Sequence, residues 1–131
     1  MIYGSSNANK VKDIKSIIKA HGADIEVVSL KDIGFSGDIV EDGQTFEENS
    51  EIKANAIKEY CVSNNINDVL VLTDDAGLCV DALNGEPGVY TGRYAGEHAT
   101  QIENIDKLLG NMKNFEGDDR KATFVCVLTM I

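Results

Sequence analysis

Residues 68–75 read "DVLVLTDD". Side chains in a strand point alternately to opposite faces. An unbroken apolar run therefore presents hydrophobic groups on both sides, and a strand of that kind is stable only inside a sheet covered above and below. This stretch predicts a central strand buried on both faces, and it demands covering elements from the rest of the chain.

Those elements are legible on either side. "MIYGS" reads as a short first strand. "NANKVKDIKSIIKAHG" places Val11, Ile14, Ile17 and Ile18 at helical spacing, with Gly22 as a stop. "IEVVSL", residues 25–30, is β-rich. "KDIGFSGDIVEDGQ" has no clear period and reads as a loop. In "TFEENSEIKANAIKEYCVSNN", Thr45 and Glu48 have the spacing of a capping box, and Ile52, Ala56 and Tyr60 form a stripe with Ile57 and Cys61 beside it. "TQIENIDKLLGNMK" repeats the signal with Thr100 and Glu103, and its stripe is Ile102, Ile105, Leu108, Leu109 and Met112. "RKATFVCVLTMI" reads as a long last strand. Strands alternating with helices give an α/β fold in one domain, residues 1–131. A chain that stops at Ile131 inside a strand pattern, with nothing to close the edge, reads as the N-terminal portion of a longer protein.

Charge narrows the partners. The net charge of −10 opposes binding to a nucleic-acid polymer or an anionic membrane by bulk attraction. A small polyanion stays open as a substrate, because a bound divalent cation inverts the local field. The apolar runs are too short to span a bilayer, and the N-terminus lacks the pattern of a secretory signal. Cys61, Cys79 and Cys126 match no zinc spacing and sit in apolar stretches, as buried reduced thiols of a cytoplasmic protein do.

Four segments could carry chemistry. "SSNANK", residues 5–10, lies at a strand-to-helix junction, where free N–H groups and the helix dipole favour an anion. Either it holds a phosphate or Asn7 simply caps the helix. It is not a P-loop, since G-x-x-x-x-G-K-[ST] is absent. In "EDGQTFEENSEIKA", residues 41–54, Glu47 and Glu48 suit a first helical turn and need no further role. Glu41 precedes the cap, where a carboxylate can reach a metal. In the central strand Val69, Val71, Thr73 and Asp75 share one face, and Leu70, Leu72 and Asp74 the other. Only one aspartate can therefore point into a given cleft. A carboxylate there can hold Mg²⁺ and deprotonate a water; alternatively, Asp-Asp-Ala-Gly is a strand exit with Gly77 supplying a positive φ. "GEPGVYTGRYAG", residues 85–96, suggests a shaped backbone. Its Arg93 can fork onto phosphate or pair with a local carboxylate, and His98 has no partner pattern.

In order and spacing, "SSNANK", "EDGQTFEENSEIKA", "DDAGLCVDALNGEPGVYTGRYAG" and "RKATFVCVL" resemble the inosine/xanthosine triphosphate pyrophosphatases, which remove non-standard purine nucleotides. The resemblance covers nearly the whole chain. It implies an elongated, ITPase-like fold with a mixed central sheet flanked by helices, in two lobes with a cleft between. It implies Mg²⁺-dependent hydrolysis of dITP, ITP or XTP to the monophosphate and pyrophosphate, and a homodimer. By the same resemblance Ser5, Ser6, Asn7, Ala8, Asn9 and Lys10 form the triphosphate loop, with Lys10 its cation. Glu41 binds the metal. Asp75 binds the metal and accepts a proton from water. Ala76 is the adjacent substrate contact, and Lys53 and Arg93 offset negative charge. Asp74 is left as a structural residue.

The chain departs from that family at three points. Ser5-Ser6-Asn7 stands where Thr-Gly-Asn is common, and Ala76 stands where serine is usual. The Phe-Gly-Tyr-Asp-Pro-type and Ser-His-Arg-type motifs that recognise the base are absent. Two other readings are a Maf-like nucleotide pyrophosphatase and a silent module that holds nucleotide and metal without turnover.

Overall fold

A computed structural model of the chain describes residues 1–131. Only the second half of the apolar run enters β3 (Val71–Val80), whose first four residues are all buried; Val69 and Leu70 precede the strand, and Leu70 is exposed, so burial on both faces begins at Val71. Around it are β1 (Ile2–Tyr3), α1 (Ala8–Ala20), β2 (Val28–Ser29), α2 (Phe46–Ser63), α3 (Gln101–Asn111) and β4 (Ala122–Met130). The strands form one sheet in the order β2-β1-β3-β4, so β3 is an interior strand as its composition requires. β1 runs parallel to both neighbours, with Ile2 opposite Val28 and Val71. Val71 and Ile131 exchange N–H···O bonds at 2.8 and 3.0 Å, the mark of an antiparallel pair, so the sheet is mixed.

The chain divides into two compact units: residues 1–43, 47–74 and 128–131, and residues 44–46 and 75–127. In the first, the sheet is covered on both sides. Ile2 and Val71 pack with Ile57 and Cys61 of α2, while Tyr3 and Leu72 pack with Val11 of α1. The parallel register Tyr3↔Leu72 aligns the second set as Ile2↔Val71 aligns the first. Gly4 lies where these layers meet. A Cβ there would come 2.5 Å from Ile57 Cδ1 and 2.6 Å from Thr73 Cγ2, so only glycine lets β1 pass into the loop that follows.

The second unit is stitched by polar side chains. Asn104 of α3 accepts from Ala95 N and donates to the Gly92 carbonyl, and Lys107 donates to the Tyr94 carbonyl. Asn111 donates to the Tyr94 hydroxyl, which in turn donates to Glu86. The capping box of Thr100 and Glu103 is formed as the sequence predicts.

Several sequence expectations are corrected. The strand read over 25–30 shrinks to Val28–Ser29. β3 does not end at the aspartates but continues through Gly77, which has no positive φ. The buried face of α2 is Ser50, Ala54, Ile57 and Cys61, with Ile52, Ala56 and Tyr60 at its margin. A hydropathy stripe overlooks Asn49 and Ser50, which are buried because their polar groups are bonded. In α1, Ile17 is exposed. The α3 stripe buries only Met112 and half-buries Leu108, and Ile102 is 70% exposed; the hydrogen bonds of that helix to its neighbours come from Asn104, Lys107 and Asn111. Among the cysteines, all free, only Cys61 is buried; Cys79 is half-buried and Cys126 is exposed.

Candidate functional site

The loop after β1 is set by its own side chains. Asn7 is the N-cap of α1, and its Oδ1 accepts from Asn9 N at 2.9 Å and Lys10 N at 3.4 Å. Ser5 Oγ accepts from Asn7 N at 3.2 Å. The capping reading of Asn7 therefore holds. The N–H groups of Ser6 and Ala8 at the same junction donate to no protein acceptor. Ser6 to Lys10 are exposed, and a concavity of about 500 Å³ opens beside Ser5, Ser6 and Ala8, also bordered by Lys15, Lys31 and Phe35. Asn7→Ala is expected to lower stability by about 1 kcal/mol through loss of the cap, read as a fall in the thermal midpoint.

Lys10, in the first turn of α1, reaches across to β3. Its Nζ donates to Asp74 Oδ2 at 2.5 Å, and Tyr3 donates its hydroxyl to Asp74 Oδ1 at 2.6 Å. Asp74 is only 6% exposed, whereas Lys10 is 45% exposed. Burial pushes the Asp74 carboxyl up, but the hydrogen bonds from Lys10 and Tyr3 outweigh it and hold the group below the usual carboxylate range. Asp74 is thus an ionised, buried anchor for a cation that faces solvent.

A second ion pair lies in the same unit. Lys53 of α2 donates to Glu41 Oε2 at 2.8 Å, with the lysine largely buried. The segment after Glu41 is held by Gly43 N donating to Asn49 Oδ1 at 2.9 Å. Thr73 donates to the Ser50 carbonyl at 2.7 Å, tying α2 to β3 one residue before Asp74.

Asp75 and Ala76 are half-buried residues of β3 in the second unit. Alternation along the strand sets the Asp75 side chain on the face opposite Asp74. Arg93 ends the 3₁₀ segment Gly88–Arg93, 4.0 Å from Glu97 and 5.2 Å from the centre of the Tyr90 ring. His98 is exposed.

No three His, Cys, Asp or Glu side chains group as a metal cage. Mg²⁺ takes one or two carboxylates and completes its shell with water and phosphate oxygens. Glu41 and Asp75 are hard oxygen donors of the required kind.

The structure thus groups Lys10 with Asp74 and Tyr3, and Glu41 with Lys53. Pattern reading missed Tyr3 and Asn49. Tyr3 lies 71 positions from its partner, beyond the reach of any local pattern. Asn49 left a signal, as a polar residue within the first turn of a helix, where it can reach back to the preceding loop.

The sequence model of the Ham1 family matches residues 1–131. The chain is 48% identical over 130 residues to a dITP/XTP pyrophosphatase of Clostridium perfringens, covering 99% of this chain and 63% of that one. It is 43% identical over 129 residues to the protein of the same name from Bacillus subtilis, covering 98% and 61%. Among solved structures, the Ham1 protein of Staphylococcus aureus superimposes with a TM-score of 0.81 at 39% identity, covering 99% of this chain and 62% of that one. A HAM1 protein from Coxiella burnetii gives 0.82 at 32% identity, covering 99% and 61%. The chain spans less than two thirds of the length of these relatives. No helix is long and apolar enough to cross a membrane.

Proposed function

The chain belongs to the Ham1 family, and from that premise we propose that it is the phosphate-handling portion of a pyrophosphatase for non-standard purine nucleoside triphosphates. The reaction converts dITP, ITP or XTP and water to the monophosphate and pyrophosphate. The observation that carries this reading is a match along 99% of the chain to a relative named dITP/XTP pyrophosphatase. The geometry of the loop supports it. An exposed ammonium is held at a helix N-terminus beside N–H groups that have no protein acceptor, and both features favour a phosphate.

In this reading Glu41 and Asp75 are the carboxylates that hold Mg²⁺. When bound, the ion neutralises charge on the triphosphate oxygens and aids departure of the leaving group. Asp75 accepts the proton of a water as its oxygen bonds to the α-phosphorus. The bond from that phosphorus to the bridging oxygen breaks, and pyrophosphate leaves with the electron pair. Residues 5–10 hold the β- and γ-phosphates, Ala76 lies against the substrate, and Lys10, Lys53 and Arg93 offset negative charge. The protein works in the cytoplasm as a homodimer.

The test is pyrophosphate release from ITP, dITP and XTP beside GTP, dTTP and UTP, with Mg²⁺ and with the ion chelated. The expected result is a preference of about tenfold or more for the non-standard purines and loss of release on chelation. Equal release from dTTP and UTP would move the protein to the Maf-like class. Calorimetric binding of ITP without release would make it a nucleotide-holding module.

A further inference from the structure

We propose that Tyr3 and Asp74 are positioning residues for Lys10, a buried clamp that aims one exposed ammonium at the phosphate loop. The inference rests on the pyrophosphatase reading and adds to it residues that the reading does not use.

The clamp is built from the core outward. Tyr3 is buried on β1, fixed by its pairing with Leu72. Its hydroxyl occupies Asp74 Oδ1, and Lys10 Nζ occupies Oδ2. With one donor on each oxygen, the carboxylate cannot turn without breaking a buried hydrogen bond. Lys10 is fixed at its other end, because the Asn7 cap sets where α1 begins. A lysine ammonium has three N–H donors. Asp74 takes one, and no other protein group takes the remaining two.

The arrangement has two opposing effects. Asp74 cancels part of the positive charge of Lys10, which weakens attraction for a polyanion. It also orders a flexible side chain before substrate arrives, which removes an ordering cost that binding or reaction would otherwise carry. A purely attractive site would leave the lysine unpaired. An anchor carboxylate almost wholly buried, paired with a cation nearly half-exposed, gives up attraction for placement. Loss of the clamp therefore lowers turnover more than affinity.

The experiment compares the unaltered chain with Asp74→Asn and Tyr3→Phe. The second keeps the ring in the core and removes only the hydroxyl, so it guards against a folding failure in the first. Inorganic tripolyphosphate binding is measured by calorimetry, ITP turnover by pyrophosphate release, and Lys10 mobility by relaxation of its ¹³Cε signal. Expected are tripolyphosphate affinities unchanged within about threefold or tighter, kcat for ITP reduced about tenfold in Asp74→Asn and less in Tyr3→Phe, and a Lys10 signal mobile in both variants but rigid in the parent. A Lys10 signal equally mobile in all three proteins overturns the clamp. So does a loss of affinity that matches the loss of kcat. If the parent binds tripolyphosphate and its Lys10 is rigid but ITP is not hydrolysed, the pyrophosphatase reading fails while the clamp stands.

Discussion

Asp75→Asn is expected to reduce pyrophosphate release from ITP by about a hundredfold or more while leaving the thermal midpoint nearly unchanged. The size follows from what the residue is proposed to do. An asparagine keeps the shape of the side chain but has no basicity with which to accept a proton. It is also a weaker donor to a divalent cation than a carboxylate. Both losses fall on the chemical step, so kcat should drop more than affinity for tripolyphosphate. Asp75 is half-buried, and the isosteric change leaves no cavity. The neighbouring Asp74→Asn gives the contrast, since its smaller loss of kcat should come with a mobile Lys10. Near-normal turnover in Asp75→Asn would remove the residue from the role of base.

The largest expected loss of stability is at Gly77. A Cβ there would come 2.3 Å from the Gly88 carbonyl, 2.6 Å from Thr91 Oγ1 and 2.9 Å from Phe46 Cε1. None of these groups can easily yield. Thr91 is fixed because its hydroxyl accepts from Leu78 N at 2.8 Å and donates to the Gly88 carbonyl at 2.6 Å. Gly77→Ala should cost about 3 kcal/mol, an overpacking penalty at the upper end of the usual range. That corresponds to a fall in midpoint of about 10 °C for a chain of this length. Gly110 supplies a control of opposite sign. It lies in α3, exposed, with nothing within 4 Å of an added Cβ. Gly110→Ala should raise stability by about 0.5–1 kcal/mol through the unfolded state. Equal midpoints for the two variants would show that the close approach at Gly77 is not limiting.

The limits of reading the sequence are specific. The burial of Val71 to Asp74 was legible because it is written in consecutive side chains, although Leu70 of the same run is exposed. Its end was not. Asp-Asp-Ala-Gly has the composition of a turn, yet the strand runs on to Val80 with the Gly88–Arg93 segment packed closely on Gly77. Tertiary packing overrides local propensity there. The capping residues Asn7 and Thr100 were legible, since a cap is a contact over two or three positions. The stripe of α3 misled because periodicity says which residues share a face and not which face is covered. In the site, the resemblance supplied Lys10, Glu41 and Asp75. The pairing of Lys10 with Asp74 spans 64 positions, and only the register of β1 on β3 brings the two segments together.

The order of the chain within its first unit also bears on how the protein is made. That unit holds residues 1–43 and 47–74 but is completed by residues 128–131, whose Ile131 pairs with Val71. A ribosome delivers the N-terminal part of the sheet well before the strand that borders β3. At about 5–20 residues per second, the delay lasts several seconds. During it, β3 has an unpaired edge, the kind of surface to which other chains add. Nascent chains of this protein should therefore depend on holding chaperones most strongly in the interval between emergence of Asp74 and arrival of Leu128.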